Sequence, residues 1–589
     1  MRLAVILFLS LAAYAEANPA GTQIPVGTFP MSSVLSPDGK YMVVLNTGSK
    51  SISVVDIASA KEVSHAAVPD AWLGLAMTRT GDKVYVGGGA RAAVFEFSFA
   101  NGTLTAGRTF PIAAAKDRSP QDFAGDVRLA PDGHLLYVSN LFRDTVVVMN
   151  PQSGLILSRI KTGRRPYRIL FHPSGKMIYV SSWADGSIGE FDVNSGQKLA
   201  NFRVAPHPTD MLWLDGGLPA GANAGDEGQP EIKARMFVTA ANTNSLYVFG
   251  ASETGDLTKI DTINLALTPM QPLGTTPSAL GLSSDKKIVY VACSDENDIA
   301  AIDVTGERNL VKGFIPTGAY PTAVSALPDG RIAIVNGHGN SLQLVDPPDD
   351  AKLQTYSDEV MTNFPYRDEM PGALAAGSPV RHVVYVVRGG DNSLTSGIAT
   401  DYAVRLGASH ADDTDPANVP PAGYLWNSAS QAGLKIRNYG FEVHNLEKPG
   451  ADGEQVDRVY DLALKDSTDM EYRGPDPSYS DLDRAKEFAG ELKEYEQVGE
   501  LPQLLMVRIG PGEQARDLVE QAVAASKFHS ETALFEVEAD GATRVLAPGA
   551  GKIAASSGNP FSALRTVELI LGLHPMTVFD AAAPPLAVQ

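Results

Sequence analysis

The pattern of apolar and polar positions changes once along the chain, near residue 380. Before that point, short runs of β-branched and aromatic residues alternate with polar ones, and turns of Pro, Asp, Asn and Gly separate them. This period-two alternation predicts strands with one buried face. After that point, apolar runs of strand length alternate with segments of helix length, which is typical of an α/β layer. We therefore expect two domains of different class.

One unit recurs through the first half of the chain. Its clearest copy, SPDGKYMVVLNTGSKSISVVDI at 36–57, contains an apolar strand ending in Asn, a polar turn and a further strand ending in Asp. A repeat of roughly 40 to 50 residues with three or four strands predicts a propeller blade, which covers its apolar face by stacking on its neighbours. Seven copies predict seven blades; the copies begin at Ser36, Thr78, Ala130, His172, Ala234, Ser283 and Leu327.

The segment TQIPVG at 22–27 is similar to IPTG at 315–318, which leads into the last blade. We expect this first strand to pair into blade seven and close the ring, because an open ring would expose two sheet edges. The predicted propeller spans 22–348. Two longer segments, 113–123 before blade three and 215–232 in blade five, are predicted to be surface loops.

The segments SPDGKYMVVLN, LLYVSN and MIYVSS, with GRRPYRILFHP and GAYPTAVSALP, resemble the YVTN-type seven-bladed propeller repeats of exported bacterial proteins. This resemblance implies a fold and says little about function. Inner strands of a propeller line a central channel, so ligand contacts are expected on those strands, on the turns into them and after the second strands. The candidates are Trp72, Arg165, Arg168, Trp183, His207, Asp210, Tyr320 and His338.

The alternative role of these eight residues is to pack the interfaces between blades. The basic cluster Arg164, Arg165 and Arg168 stands out in a chain with a net charge of -20. It predicts either an anionic small-molecule ligand or an acidic surface, on an unknown protein or on the second domain of this chain. The acidic composition, without a basic stripe, excludes binding to a nucleic-acid backbone.

A proline-interrupted linker, 349–379 with one helix at 353–361, leads into the second domain at 380–589. Within it, 447–500 is dense in charged residues and is predicted to be a solvated, partly helical insertion. The predicted strands are 382–387, 434–439, 503–509 and 533–537, and the predicted helices are 398–406, 513–526 and 561–571.

The segments VRHVVYVV, SLTSGIATDYAVR, GYLWNSASQAGLKIRNYGFEV, LLMVRIG, SKFHSETALFEVEAD and NPFSALRTVELILGLHPMTVFDAAAPPL resemble the phosphoesterase family of bacterial phospholipase C and acid phosphatase, in the alkaline-phosphatase-like superfamily. The implied fold class is multidomain: an all-β seven-bladed propeller followed by a reduced α/β domain. The resemblance also implies phosphate-ester hydrolysis with metal ions held by carboxylates, Asn and His.

The metal-binding turns depart from that pattern. Gly389 and Gly390 stand where the family has Glu-Asn, and Pro511-Gly512-Glu513 stands where it has Asn-Asp-His. The later acidic pair reads Glu538-Ala539-Asp540, and the Asp-His segment that follows it in the family is missing. Glu513, Glu538 and Asp540 are too few ligands for a pair of divalent cations.

Two further groups could carry chemistry in this domain. Asp391 and Asn392 offer one carboxylate and one amide as a shifted replacement for Glu-Asn. Thr395 and Ser396 lie where the family has hydroxyl-bearing residues, although a hydroxyl without a metal or base is a poor nucleophile. If these groups act with Glu513, Glu538 and Asp540, the cofactor is a divalent metal such as zinc, manganese or calcium.

The amino terminus predicts export. Arg2, the apolar run 3–13 and small residues up to Ala17 form a signal peptide over 1–17; an uncleaved anchor or a buried first strand is the alternative. No later apolar segment is long enough to span a membrane. Cys293 is the only cysteine, which excludes a disulfide framework and a Cys-x-x-Cys-His haem motif. The predicted location is the periplasm or the extracellular space.

The sequence thus predicts an exported propeller-based binding or scaffold protein whose phosphoesterase-like domain has lost its metal site. The alternative is a metal-dependent phosphoesterase with a rearranged active site. A third hypothesis is a propeller enzyme or redox protein that uses the central channel.

Overall fold

The computed structural model describes residues 18–216, 231–253, 256–306, 308–364, 366, 379–390, 392–397, 419–548, 553–557 and 559–586. These residues form two compact units. One comprises 18–267 and 275–364, and the other comprises 268–274 and the described residues from 366 onward. The predicted helix at 398–406 and most of the predicted loop at 215–232 lie outside the described residues.

The first unit contains seven four-stranded antiparallel sheets, which confirms the seven-bladed propeller. A separate strand, β1 (Thr22–Pro25), precedes blade one. Blades one to three consist of β2 (Pro30–Leu35), β3 (Tyr41–Asn46), β4 (Ser51–Asp56) and β5 (Lys61–Ala67); β6 (Leu75–Met77), β7 (Lys83–Gly87), β8 (Ala93–Ala100) and β9 (Thr103–Pro111); and β10 (Ala124–Leu129), β11 (Leu136–Asn140), β12 (Thr145–Met149) and β13 (Ile156–Lys161).

The other four blades follow the same order. They consist of β14 (Pro166–Phe171), β15 (Met177–Ser182), β16 (Ser187–Asp192) and β17 (Lys198–Arg203); β18 (Pro208–Asp215), β19 (Ala234–Ala240), β20 (Ser245–Ala251) and β21 (Leu257–Asn264); β22 (Pro277–Leu282), β23 (Ile288–Cys293), β24 (Asp298–Asp303) and β25 (Leu310–Pro316); and β26 (Pro321–Ala326), β27 (Ile332–Asn336) and β28 (Ser341–Val345), with β1 as the fourth strand.

Ring closure is made by β1, as the sequence predicts. It pairs antiparallel with β28, with Ile24 opposite Leu342. Ile24 is buried in a cluster that combines Val335 of blade seven with Val44 of blade one. The closing strand therefore joins the last blade to the first by hydrogen bonds and by apolar packing.

Burial within a blade follows its stacking. The middle strands are covered on both faces, so Val43 and Val54 of blade one pack with Val84 and Val86 of blade two. The outermost strands keep one face in water, as the alternating exposure of β5 illustrates. The linker helix predicted at 353–361 is present as α1 (Asp350–Asn363), which begins at the N-cap Asp349.

The second unit is built on a six-stranded sheet. Its strands are β29 (His382–Arg388), β30 (Ile436–Tyr439), β33 (Leu504–Ile509), β34 (Thr532–Glu538), β35 (Thr543–Leu546) and β36 (Ile553–Ser557), and β31 (Val443–Asn445) pairs with β32 (Val456–Val459) in a separate hairpin. The order in the sheet is β30-β33-β29-β34-β35-β36. The first four strands in this order are parallel and the last two are antiparallel.

Helices cover both faces of this sheet. They are α2 (Leu425–Gln431), α3 (Asp481–Val498), α4 (Glu513–Ala525), α5 (Pro560–Leu571) and α6 (Val578–Ala582). This unit also has short 3-10 turns at Asn392–Thr395 and Leu462–Leu464, and the propeller has two, at Leu141–Arg143 and Trp183–Asp185. Residues of α3 and α4 pack on one face, and residues of α2 and α5 pack on the other. The segment 447–500 is partly helical, as predicted, but Phe488 and Leu492 of α3 are buried in the core, so the segment is a layer of the fold.

No helix in the described part of the chain is both long and apolar enough to cross a bilayer.

Candidate functional site

Five residues with an unusual backbone mark the end of the propeller where the inner strands begin. Each has a φ between 46° and 62° and directly precedes a proline of an inner strand; they are Phe29, Arg165, His207, Thr276 and Tyr320. A side chain in this left-handed region costs roughly 1 kcal/mol or more, so the surrounding contacts must hold it there. This ring of strained turns contains three of the predicted ligand contacts.

Side chains near the start of the inner strands bind each blade to the next. The hydroxyls of Ser32, Thr209 and Thr322 donate to backbone carbonyls of the following inner strand at 2.9, 3.1 and 2.9 Å. Carboxylates of blades three and five also accept from the following blade: Asp126 from the Ile169 amide at 3.0 Å, and Asp210 from the Leu280 amide at 3.0 Å. These positions therefore hold the ring together.

The predicted basic cluster is largely engaged in ion pairs within the propeller. The Arg168 guanidinium lies 3.3 Å from Asp126 and 3.5 Å from Asp210, and so links blades three, four and five. Arg164 pairs with Asp185 at 3.0 Å. Burial tends to raise the pKa of Asp126, but Arg128 and Arg168 together hold it below its ordinary value.

Aromatic rings fill the space around the inner strands. Trp183 and His207 stack with centroids 3.6 Å apart, and the Arg165 guanidinium lies 5.3 Å from the Trp183 ring. Trp72 contacts Tyr167 edge-on at 5.3 Å, across from blade two to blade four. The strands thus bring together residues that are more than 90 positions apart in the sequence.

The eight predicted propeller residues differ in their exposure to solvent. Trp72, Arg165, Arg168, Trp183, His207 and Tyr320 are buried, Asp210 is half-buried and His338 is exposed. His338 lies 4.9 Å from the Tyr320 ring and 5.0 Å from the Phe29 ring. Most of the set is therefore packed within the propeller.

A cleft of about 490 Å³ lies beside blade three. None of the eight propeller residues predicted from the sequence lines it. Its walls come from the long loop between β9 and β10 and from the β11–β12 turn. Its lining includes Asp117, Asp122, Phe142, Arg143, Asp144 and Arg159. The feature of the sequence that could have indicated this cleft is the lengthened loop at 113–123, because long loops on a rigid scaffold commonly carry binding residues.

In the second unit, an arginine lies at the carboxyl end of the parallel strands. Arg388 ends β29, is 2% exposed and donates to Glu538 at the end of β34, to Glu513 at the start of α4 at 3.3 Å, and to the Pro511 carbonyl at 2.9 Å. Glu513 also pairs with Arg516. Two carboxylates predicted as metal ligands therefore converge on a guanidinium.

The glycine pair after β29 has little room for ligand side chains. A Cβ on Gly390 would lie 2.4 Å from Leu394 Cδ1, and Gly389 has a φ of 65°. Asn392 is buried, contacts Glu442 through its amide and accepts from Arg508 at 3.1 Å. A side chain at Gly390 is thus crowded by Leu394, whereas one at Gly389 would meet Pro511 at ordinary contact distance but would be strained by the positive φ.

The remaining candidates of this unit do not form one cluster with those carboxylates. Thr395 is buried and donates to the Asn392 carbonyl at 2.7 Å, and Ser396 is buried beside it. Asp540 accepts from the Ala542 amide in an exposed turn. Asp391 lies outside the described residues.

Comparison with known proteins bears on the fold alone. A family model described as "Lactonase, 7-bladed beta-propeller" matches residues 32–213. No curated protein matches the chain. Among solved structures, hydrazine synthase of Kuenenia stuttgartiensis is similar at 16% identity with a TM-score of 0.43, over 57% of this chain and 98% of that chain. The family match agrees with the seven-bladed architecture.

Proposed function

We propose that the protein is an exported binding or scaffold protein, in which the propeller carries the ligand site and the α/β unit is a phosphoesterase-like framework that has lost its metal site. The observation that supports this proposal most directly is the ion pairing of Arg388 with Glu513 and Glu538.

The argument rests on charge at the carboxyl edge of the sheet. In open α/β sheets this edge is where ligands and metals are held. Here Arg388 places one fixed positive charge between two carboxylates, and it is almost fully buried. A divalent cation at the same carboxylates would have to displace the guanidinium and leave it buried without its partners, which costs several kcal/mol. The arrangement therefore favours a structural ion pair over a catalytic metal.

For the propeller, the cleft beside blade three is the ligand site that we favour. Three carboxylates and two guanidinium groups line it, with one aromatic ring, Phe142. Arg159 already donates to the Ile112 carbonyl at 2.6 Å, and Arg143 lies 4.0 Å from Asp122. A purely anionic ligand would meet more negative than positive groups there. We therefore narrow the expected ligand to a small polar molecule that carries a cationic as well as an anionic group.

The test of the α/β unit is an activity assay on the mature full chain with zinc, manganese or calcium. An aryl phosphate and a phosphodiester serve as substrates, and we expect no turnover above that of the free ions. The alternative, a metal-dependent phosphoesterase with a rearranged site, predicts chelator-sensitive turnover that Glu538→Gln abolishes. Glu531→Gln is the matched control, since its side chain is exposed and lies at the other end of the strand. Turnover with that pattern would overturn the proposal.

The propeller site is tested by thermal shift with free amino acids, which carry both charges, and with dicarboxylates and sugar phosphates, which are purely anionic and should have no effect. A ligand of the cleft should raise the melting temperature of the wild type by mass action and lose this effect in Arg143→Ala. Arg331→Ala is the control, because that arginine pairs with Asp329 in a turn of blade seven. A ligand whose effect survives Arg143→Ala does not bind in the cleft.

A further inference from the structure

Blade six differs from blades one and seven in the pair of residues that face each other where its second strand ends and its third strand begins. In blades one and seven, the second strand ends in Asn and the third strand begins with Ser. The amide of Asn46 donates to Ser51 at 3.1 Å, and the amide of Asn336 donates to Ser341 at 3.1 Å. Each Asn-Ser pair is also a register pair of its hairpin. A neutral donor and acceptor thus satisfy each other at the end of these hairpins.

In blade six the same two positions are Cys293 and Asp298, which are again register partners. With Glu296 from the turn between them, they place one sulfur and two carboxylate oxygens within 4.8 Å of one another. Cys293 and Asp298 are fully buried, and Glu296 is half-buried. Three groups that become negative on losing a proton have therefore replaced a neutral pair.

A second observation points to a missing partner. Among the described residues, neither carboxylate oxygen of Asp298 has a hydrogen-bond partner, and no Lys, Arg or His lies within 4 Å of it. An ionised carboxylate buried without a partner is costly, so such groups are normally paired or coordinate a metal. The Cys293 thiol contacts the Val291 carbonyl at 3.8 Å and interacts with the Asp298 carboxyl, but one thiol proton cannot satisfy both carboxylate oxygens.

We propose that Cys293, Glu296 and Asp298 form a binding site for a divalent transition-metal ion, with zinc the best fit. Calcium and magnesium take oxygen ligands, whereas a thiolate with carboxylates suits zinc. Tetrahedral zinc holds sulfur and oxygen ligands roughly 3.5 Å apart, which these side chains reach by moving about 1 Å or less. On binding, the Cys293 thiol releases its proton to solvent as the sulfur–zinc bond forms.

The surroundings of the cluster suit such an ion. The Thr275 hydroxyl donates to Glu296 at 2.9 Å, which orients that carboxylate as second-layer hydrogen bonds orient metal ligands. Three protein ligands leave a fourth position for water or for a ligand atom, as in zinc sites that are not purely structural. The site lies in the turn between β23 and β24, on the side of the propeller where the inner strands begin, and it is independent of the function proposed above.

The competing arrangement is a protonated Asp298 beside a neutral thiol. Burial raises the pKa of Asp298 to about 7, which is compatible with either a bound cation or a retained proton. The two arrangements differ in metal content, so the experiment measures metal directly. The full chain is stripped with a chelator, reconstituted with zinc and dialysed, and its zinc content is determined by elemental analysis.

We expect one zinc per chain in the wild type and a rise in melting temperature on reconstitution. The cobalt-substituted protein should show a thiolate-to-cobalt charge-transfer band, which reports on the sulfur ligand. Cys293→Ser should lose that band. The double variant Cys293→Asn with Asp298→Ser installs the pair that the sister blades use; it should fold, lose the zinc and melt at the same temperature with and without added metal.

Asp303→Asn is the matched control, since Asp303 lies at the opposite end of β24 and accepts from Thr305 in an exposed turn. It should retain the zinc. Glu513→Gln, in which Arg388 keeps Glu538 as its anionic partner, should also retain the zinc, which separates this site from the sheet edge of the α/β unit. Wild type without stoichiometric zinc, or zinc that persists in the Cys293→Asn, Asp298→Ser variant, would overturn the proposal.

Discussion

Replacing Arg168 by methionine distinguishes a ligand-binding arginine from one that holds the propeller together. Methionine keeps most of the side-chain length but removes the guanidinium from between Asp126 and Asp210. Asp126 is fully buried and would keep only the 3.0 Å ion pair with Arg128 and the Ile169 amide. Removing one partner of a buried pair costs roughly 3–5 kcal/mol, and the partners that remain place this case near 3 kcal/mol.

Arg164→Met is the matched control from the same cluster. Its ion pair with Asp185 is half-exposed on both sides, and such pairs contribute about 1 kcal/mol or less. Urea unfolding followed by tryptophan fluorescence gives both free energies of unfolding. Equal losses in the two variants would refute the structural role of Arg168, as would a loss of ligand binding without a loss of stability.

The loss of stability in Arg168→Met should depend on pH, and the pKa shift of Asp126 gives the direction of this dependence. Burial opposes ionisation of Asp126, but Arg128 and Arg168 lower its pKa in the folded state. A carboxyl with a lowered folded pKa stabilises the fold above its unfolded pKa, about 3.9, and this stabilisation is lost as the pH falls through the folded value. The destabilisation by Arg168→Met should therefore be full at pH 7 and smaller below about pH 4.

Two further predictions concern other parts of the fold. Ile24→Ala removes a buried side chain of the closing strand and should lower the free energy of unfolding by about 3 kcal/mol through the cavity it leaves. Thr22→Ala, at an exposed position of the same strand, should change it by less than about 0.5 kcal/mol. Urea titrations measure both values. Burial, with repulsion from Glu520, raises the pKa of Glu536 to about 8. The free energy of unfolding should therefore fall between about pH 4.5 and 8, because the unfolded state loses its proton first. Glu536→Gln should flatten this pH dependence in melting curves. An unchanged slope would contradict the assignment to Glu536.

The fold of the first unit was predictable because each blade repeats the same local rules. A strand of alternating apolar residues followed by a polar turn recurs in all seven copies, and three of them begin with a Pro-Asp-Gly turn. The clearest copy therefore makes the weaker ones recognisable. At Gly39 the turn requires a φ of 71°, and Ser36 accepts from the Tyr41 amide to complete it. Even ring closure was visible, because the closing strand resembles the segment that enters the last blade.

The candidate sites were less predictable because they depend on neighbours that are distant in the sequence. Residue type marked Trp183 and His207 as candidates, but only the stacking of blades four and five places their rings 3.6 Å apart. Likewise, the sequence alone does not pair Arg388 with Glu538 and Glu513, which β34 and α4 bring to it from more than 120 positions away. The blade-six pair was visible in principle, since aligning the repeats puts Cys293 and Asp298 where sister blades have Asn and Ser.

The ion pairs of Arg388 also explain why two carboxylates remain at the edge of the sheet. A guanidinium that is 2% exposed needs negative partners, so loss of Glu513 or Glu538 would leave a buried charge partly uncompensated. The two carboxylates therefore contribute to the stability of the α/β unit as partners of a buried guanidinium. Among the described residues, no Lys, Arg or His pairs with Asp540, which accepts from the Ala542 amide in an exposed turn. The contacts at this edge thus assign Glu513 and Glu538 a structural role that Asp540 does not share.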